Sequence, residues 1–357
     1  MTDSPNGIVS ARPSFTVGGE DRPVLAQGLL GLLIAEEITG LYRCEATFSN
    51  WGPIGGGVGF LYFDRQVLEF GKTFKVGYGS GSLFDGRVMG LEAHFPEGRP
   101  PEITVLAEDR FQDLRMTRRT RSFENVSDSD MVSQIAGDHG LSPSVDLQGP
   151  THKVVAQVNQ SDLAFLRERV RAVGGEVWVD GTTLNAKPRT SRSSGSPLEL
   201  KYGTELRSFS VTADLAQQRT SLTVSGWDVA AKQAISHQAT SSVISGELNG
   251  DDGGVGILQS AIGERKEAVV HTIPLTSDEA RARAESLFQS SARRFVVGRG
   301  TARPDARFAA GTSVKLTGLG PLFNGKYYMA EVVHLFDGAH GLRSELVLER
   351  PGLGRAS

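Results

Sequence analysis

Apolar and polar positions change their period three times along the chain. Tyr42, Cys44, Ala46 and Phe48 alternate with Arg43, Glu45 and Thr47, which predicts a half-buried strand. The segment from Phe60 to Leu68, the residues around Asp85-Gly86 and the run Ile103–Leu106 continue that β pattern, so residues 14 to about 122 read as one β domain with Gly-rich loops. A helical period then takes over. Ser127 is placed to cap a short helix with Met131, Val132, Ile135 and Ala136 on one face, closed by Gly140. Val154, Ala156 and Val158 predict a strand. Ser161 opens a second helix with Leu163, Leu166 and Val170 on one face, ended by Gly174-Gly175. Val177–Val179 and Thr182–Leu184 flank Asp180-Gly181 as a hairpin.

Residues 1–122 are therefore expected to form a first β domain, and 123–188 an α+β insert. Residues 189–197, "RTSRSSGSP", read as a polar linker. Residues 198–357 return to β structure, with strands near Leu206–Val211 and Ser221–Ser225 and a helix over 277–293. "SGELNGDDGGVG" (Ser245 to Gly256) reads as a mobile loop. The fold class expected is α+β, mainly β: two β-barrel domains with an α+β insert between them.

The two β regions share a motif. Leu83-Phe84-Asp85-Gly86-Arg87 and Leu322-Phe323-Asn324-Gly325-Lys326 each carry a type I′ hairpin signal, because Asn-Gly and Asp-Gly tolerate positive φ at both central positions. Upstream, Gly71-Lys72-Thr73-Phe74-Lys75-Val76 parallels Gly311-Thr312-Ser313-Val314-Lys315-Leu316, with Phe70 and Phe308 before each glycine. A one-residue gap aligns the whole set. A repeat at this spacing indicates duplicated domains and not a solenoid.

Composition narrows the classes. At 357 residues, two to four domains are expected, and a net charge of −3 gives no general pull towards nucleic acid or anionic lipid. The single cysteine, Cys44, precludes an internal disulfide. Val24–Ala35, the most apolar stretch, is too short to span a bilayer, and "MTDSPNGIVS" lacks the basic and apolar regions of a secretion signal, so synthesis and folding in the cytoplasm are expected.

Candidate chemistry is thin. "GGGVG" (Gly55–Gly59) and "GYGSG" (Gly77–Gly81) match neither dinucleotide nor Walker spacing. Tyr78 occupies the first glycine position of a nucleophile elbow around Ser80. The seven histidines are scattered, and Asp251-Asp252 lacks the alternation of a calcium loop. The basic cluster Arg115, Arg118, Arg119 and Arg121 has no interleaved aromatics for base stacking, so it is assigned to solvent or a partner subunit. No cofactor, metal or catalytic group is expected.

Several segments in order resemble the baseplate hub family of contractile tails: phage late control D-type tail proteins, the amino-terminal hub region of VgrG, and the hubs of extracellular contractile injection systems. These are "MTRRTRSF" (Met116–Phe123), "SDSDMVSQIAGDHGL" (Ser127–Leu141), "QVNQSDLAFLRERVRAVGGEVWVDGTTL" (Gln157–Leu184), "SGWD" (Ser225–Asp228), "FNGKYYMAEVVH" (Phe323–His334) and "SELVLER" (Ser344–Arg350). The resemblance covers roughly residues 15 to 351, with "RPDARFAAG" departing from the family's more Gly-Pro-rich approach to the last domain.

That resemblance implies a non-enzymatic homotrimer in which six tube-like barrels join a sixfold inner tube to a threefold spike. It also implies contacts with the inner tube protein and other baseplate subunits. The chain ends soon after "LVLERPG", so the spike is expected on a separate polypeptide, as in a phage tail or an extracellular injection system. The interface residues expected are Leu83, Phe84, Asp85, Gly86, Leu322, Phe323, Asn324, Gly325, Arg118, Arg119 and Arg121. Two other classes stay open. The insert also resembles LysM folds, a glycan-binding reading, and tail tips can carry cell-wall hydrolases.

Overall fold

The computed structural model describes residues 12–229, 231–270 and 274–355; the amino-terminal stretch read for a secretion signal lies outside them. The fold is α+β and mainly β. In the first half the strands are Ser14–Val17 (β1), Leu29–Glu37 (β2), Arg43–Ser49 (β3), Trp51–Ile54 (β4), Gly57–Phe60 (β5), Thr73–Tyr78 (β6), Gly81–His94 (β7) and Glu102–Glu108 (β8). The insert follows with Arg118–Ser127 (β9), helix Asp128–Asp138 (α1), Ser142–Val145 (β10), Thr151–Ser161 (β11), helix Asp162–Ala172 (α2), Gly175–Asp180 (β12), Thr183–Pro188 (β13) and the turn of helix Arg189–Arg192 (α3).

The last part holds Leu198–Lys201 (β14), Leu206–Ala213 (β15), Ser221–Asp228 (β16), Gln233–Thr240 (β17), helix Gly254–Ala261 (α4), Lys266–Val269 (β18), helix Ser277–Ala292 (α5), Val296–Ala302 (β19), Ser313–Thr317 (β20), Gly325–Asp337 (β21) and Gly341–Arg350 (β22).

The two β parts have one plan. Pairing order in the first is β1-β6-β7-β8-β3-β2, and in the second β14-β20-β21-β22-β19-β15. Registers repeat as well. The pair Val88–Ala107 in β7/β8 has its counterpart in Met329–Leu348 in β21/β22, a displacement of 241 on both strands. Both ladders then slip by one residue at the same place, between Val88 and Gly90 and between Met329 and Glu331. A second matched bulge separates Leu29 from Gly31 in β2 and Leu206 from Ser208 in β15. Bulges kink and twist a strand locally, so a bulge at the same register is a shared shape feature.

Gly71 and Gly311 enter the equivalent strands at φ +74 and +94, conformations that a side chain disfavours. Gly71 N donates to Val88 O and Gly311 N to Met329 O, both at 2.8 Å. One difference is that β1 runs antiparallel to β6 while β14 runs parallel to β20.

The Leu-Phe-x-Gly match itself is a coincidence of composition. Asp85-Gly86 lies inside β7, opposite Lys75 and Phe74, and the chain turns instead at Gly79, φ +58. In the second half a helical turn, Gly320–Phe323, precedes Asn324, whose φ of −64 excludes a type I′ turn. Register places Phe84 opposite Val76 and Gly325 opposite Leu316, so the counterpart of Phe84 is Gly325 and not Phe323. The motif is two residues out of step.

The halves are not closed barrels, because among the described strands the ladders do not return on themselves. They are parts of one 13-stranded sheet, joined where β2 pairs with β21. Each encloses its own core. Ile34, Phe48 and Phe74 are fully buried in the first, and Leu206, Tyr327 and Leu348 in the second. Each such side chain stabilises the fold by about 1.5–3 kcal/mol.

Other expectations need correction. Residues 61–68 turn and bend where a strand from Phe60 was expected, and β16 joins β17 and β18 in a separate sheet packed under α5, outside the second β core. Ser245–Gly256 is ordered: Glu247 pairs with Arg293 at 2.7 Å, and Asp251 accepts from the buried Arg350 at 2.7 Å. In the insert, the capping box of Ser127 with Asp130 starts α1, Ser161 caps α2, and Gly181 turns the β12–β13 hairpin. Strand β11 forms as its alternation predicts, but with the opposite facing. Val154 and Val158 are exposed while His152 and Gln157 point inwards.

Candidate assembly interface

The polar linker holds two buried arginine side chains that tie the parts of the molecule together. Arg189, only 6% exposed, pairs with Glu349 at 2.8 Å and lies 3.6 Å over the Tyr328 ring. Arg192 donates to Glu176 at 2.9 Å, to the Tyr42 hydroxyl at 2.8 Å and to Ala310 O at 2.6 Å, and stacks 4.2 Å from Trp178. Its partners come from the first half, the insert and the second half. Gly311 is required beside it, because a Cβ there would stand 1.9 Å from Arg192 Nε. A polar, turn-rich composition predicts exposure, and nothing in the local sequence marks these two arginines as buried.

Beside this rivet, the two halves meet as strands. Gly31–Glu37 of β2 pairs antiparallel with Glu331–Asp337 of β21, and Phe336 and Leu342 from the second half are buried in the first half's core. Glu36, 8% exposed, accepts from Ala310 N at 3.2 Å. Burial pushes its pKa up to about 7, against the pull of that hydrogen bond and of Arg192. Burial likewise pushes Asp109 to about 6, although Tyr42 N and Phe111 N both donate to it.

Between the ordinary Glu range and about pH 7 the native chain keeps a proton that the unfolded chain has released. Stability therefore falls as pH rises through that window. Glu36→Gln retains the acceptor and removes the charge. It should match wild type near pH 5 and exceed it by about 1–2 kcal/mol near pH 8, read from urea midpoints. A constant difference at both pH values would contradict the assignment.

The outer edges are free. Beyond a single bridge from Tyr202 to Leu206, no described strand pairs with β15 opposite β19, which leaves Ser208 to Ala213 open, or with β7 beyond the reach of β6, from Gly90 to His94. Next to the latter edge is an exposed aromatic group. Phe95, 61% exposed, sits 6.2 Å from Phe60 and 5.7 Å from Phe63, and Trp51 packs edge-on against Phe60 at 5.2 Å.

A family model, described as the Alg8 N-terminal domain, matches residues 64–337, more than half of the chain. The chain belongs to the Alg8 N-terminal domain family. A search of the curated proteins finds no match. Among solved structures, this Alg8-family chain is similar to the 43 kDa tail protein of prophage MuSo2 from Shewanella oneidensis, with TM-score 0.68 and 15% identity over 95% of this chain and 98% of the other. A Neisseria meningitidis tail protein gives TM-score 0.67 and 11% identity, covering 96% and 97%. An Escherichia coli component of the type VI secretion system, described as similar to the T4 tail proteins gp27 and gp5, gives 0.56 and 12%, covering 92% and 76%. At such identities the likeness is one of fold, and the fold is that of tail proteins.

The expected interface residues are scattered over this family member. Leu83, Phe84 and Gly86 are buried inside the first half; a Cβ on Gly86 would lie 2.3 Å from Glu108 O. Only Asp85 presents its side chain, paired with Lys75 at 2.7 Å. Leu322 is exposed, Phe323 packs on the second core, Asn324 accepts from Leu319 N at 2.8 Å, and Gly325 abuts the Arg350 guanidinium. The basic cluster is used within the subunit. Arg121 pairs with Asp138 at 2.7 Å and with Asp162 at 2.8 Å, Arg119 contacts Asp162 at 3.0 Å, and Arg118 donates to Asn159 O. Among the described residues, no group of three or more His, Cys, Asp or Glu side chains is placed to hold a metal ion.

Proposed function

We propose that this chain is a structural subunit of a contractile, phage-tail-like injection particle, acting as a homotrimeric hub that joins a sixfold inner tube to a threefold spike. The observation that supports it most is the internal repeat. Two halves share strand order, register and both bulges, which is what an adapter needs to offer six equivalent positions from three chains. The likeness of fold to tail proteins points the same way. Such a hub works mechanically, moving with the tube when the sheath contracts. The insert, with Val154 and Val158 exposed, would meet neighbouring baseplate parts.

Native mass of the purified 38.3 kDa chain, alone and with its spike and tube proteins, tests the proposal. Three copies per assembly are expected, whether formed alone or only with the spike. A monomer under every condition would overturn it. Binding of peptidoglycan fragments by a monomer would favour the glycan-binding class instead.

A further inference from the structure

The internal junction is a template for the external one. β2 pairs with β21 within the chain, and the counterparts of these strands are β15 and β7. Each of those strands has a free outer edge, β15 from Ser208 to Ala213 and β7 from Gly90 to His94. Resting on the trimeric reading above, we infer that β15 of one copy pairs antiparallel with the free edge of β7 of a second copy, in the register of the internal junction. The ring closes through this contact.

The register follows residue by residue. Val333–Ala35 translates to Glu92–Thr212, Leu335–Leu33 to His94–Ser210, and Phe336–Leu32 to Phe95–Phe209. The last pair gives the exposed aromatic group an occupant. Phe336 is 4% exposed because it sinks into the neighbouring half's core beside Leu32. Phe95, its counterpart, is left 61% exposed by the single chain, and Phe209 lies half-buried at the rim of the second core. Docking the edges places Phe95 against Phe209 and covers both.

Both edges are lightly defended, by the bulge at the start of each and by the single charge of Glu92. From Ser208 to Ala213 and from Gly90 to His94 there is no Lys or Pro, whereas solitary edge strands commonly carry such residues to prevent pairing. Two different edges of each copy are used, so the contact is heterologous and requires closure to avoid growing a filament.

Cysteine pairs test the register in the full chain, assembled with its tube and spike. His94 and Ser210 are both exposed in the single chain, and the native Cys44 is fully buried. The expected result for His94→Cys/Ser210→Cys is a reducible, covalently closed trimer. His94→Cys/Thr212→Cys, a diagonal pair, should give at least about tenfold less, since a disulfide needs Cα atoms within about 7 Å. In parallel, Phe95→Glu should weaken trimer formation by at least about tenfold, while the monomer's urea midpoint stays close to wild type.

A trimer by native mass that forms neither disulfide overturns the edge pairing and leaves the trimeric hub standing. A disulfide to a different tail protein overturns the choice of partner. A monomer in the presence of tube and spike sinks both readings.

Discussion

Arg192→Ala is expected to destabilise the chain by roughly 3–5 kcal/mol, because it removes one member of a buried ion pair and leaves the other without its charge partner. Glu176 loses its 2.9 Å partner, the Tyr42 hydroxyl and Ala310 O lose their donor, and the Trp178 face loses its stacked cation. Those groups belong to three different parts of the molecule, so the damage should spread beyond one element. Urea unfolding should shift to lower denaturant, and limited proteolysis should cut between the insert and the β sheet. Arg192→Lys should recover only part of the loss, since a point charge cannot serve three acceptors and stack as a planar fork does. A loss below about 1 kcal/mol would mean that the junction is held by its strand pairing, and that the guanidinium is incidental.

Asp162→Ala should be of similar size, roughly 3–5 kcal/mol, but local. The carboxylate is 1% exposed at the start of α2. Burial alone would raise its pKa. Hydrogen bonds from His139 and Gln157 and the charges of Arg121 and Arg119 outweigh that and hold it below the usual range. Its stabilisation is therefore present above the ordinary Asp pKa and lost as pH falls through the lowered value. Without the carboxylate, Arg119 and Arg121, side by side on β9, lose the acidic partner they share, and Arg121 keeps only Asp138.

The insert has its own core, built around Met131, Ile135, Leu166 and Phe165, separate from the two β cores. Trp178 fluorescence, in a chain carrying Trp51→Phe and Trp227→Phe, should report the loss, while the far-ultraviolet signal of the sheet keeps its midpoint. Simultaneous loss of both signals would show that the insert does not unfold as a unit.

Local chemistry was readable along the chain, and long-range pairing was not. Ser127 and Ser161 announce their helices because a cap acts within three residues. Gly71 and Gly311 match because each is followed four residues later by Lys and then an aliphatic, and both take positive φ at the entry to a strand. Leu-Phe-x-Gly misled because a shift of two residues keeps every side chain on the same face of a strand, so alternation cannot detect it. The same limit explains β16, whose period marks a strand without naming its partner, and Val154 and Val158, whose alternation marks two faces without saying which is buried. Arg189 and Arg192 were hidden for another reason. Burial of a charge depends on acceptors distant in sequence, here Glu349 and Glu176. The basic cluster likewise finds its partner in Asp162, far along the chain.

The repeated registers leave room for change in some places and none in others. From His94 to Glu102, and from Leu335 to Arg343, the spacing between the paired strands is identical. The connections after β2 and β15 are very unequal: the first is a short turn, and the second holds a whole sheet and α5. The β4–β5 hairpin with its aromatic face belongs to the first half alone. In the proposed ring, the wall would advance in six equal steps while each ornament recurred only three times. A partner with threefold symmetry could then drive the evolution of one loop without disturbing the strand spacing on which a sixfold neighbour depends.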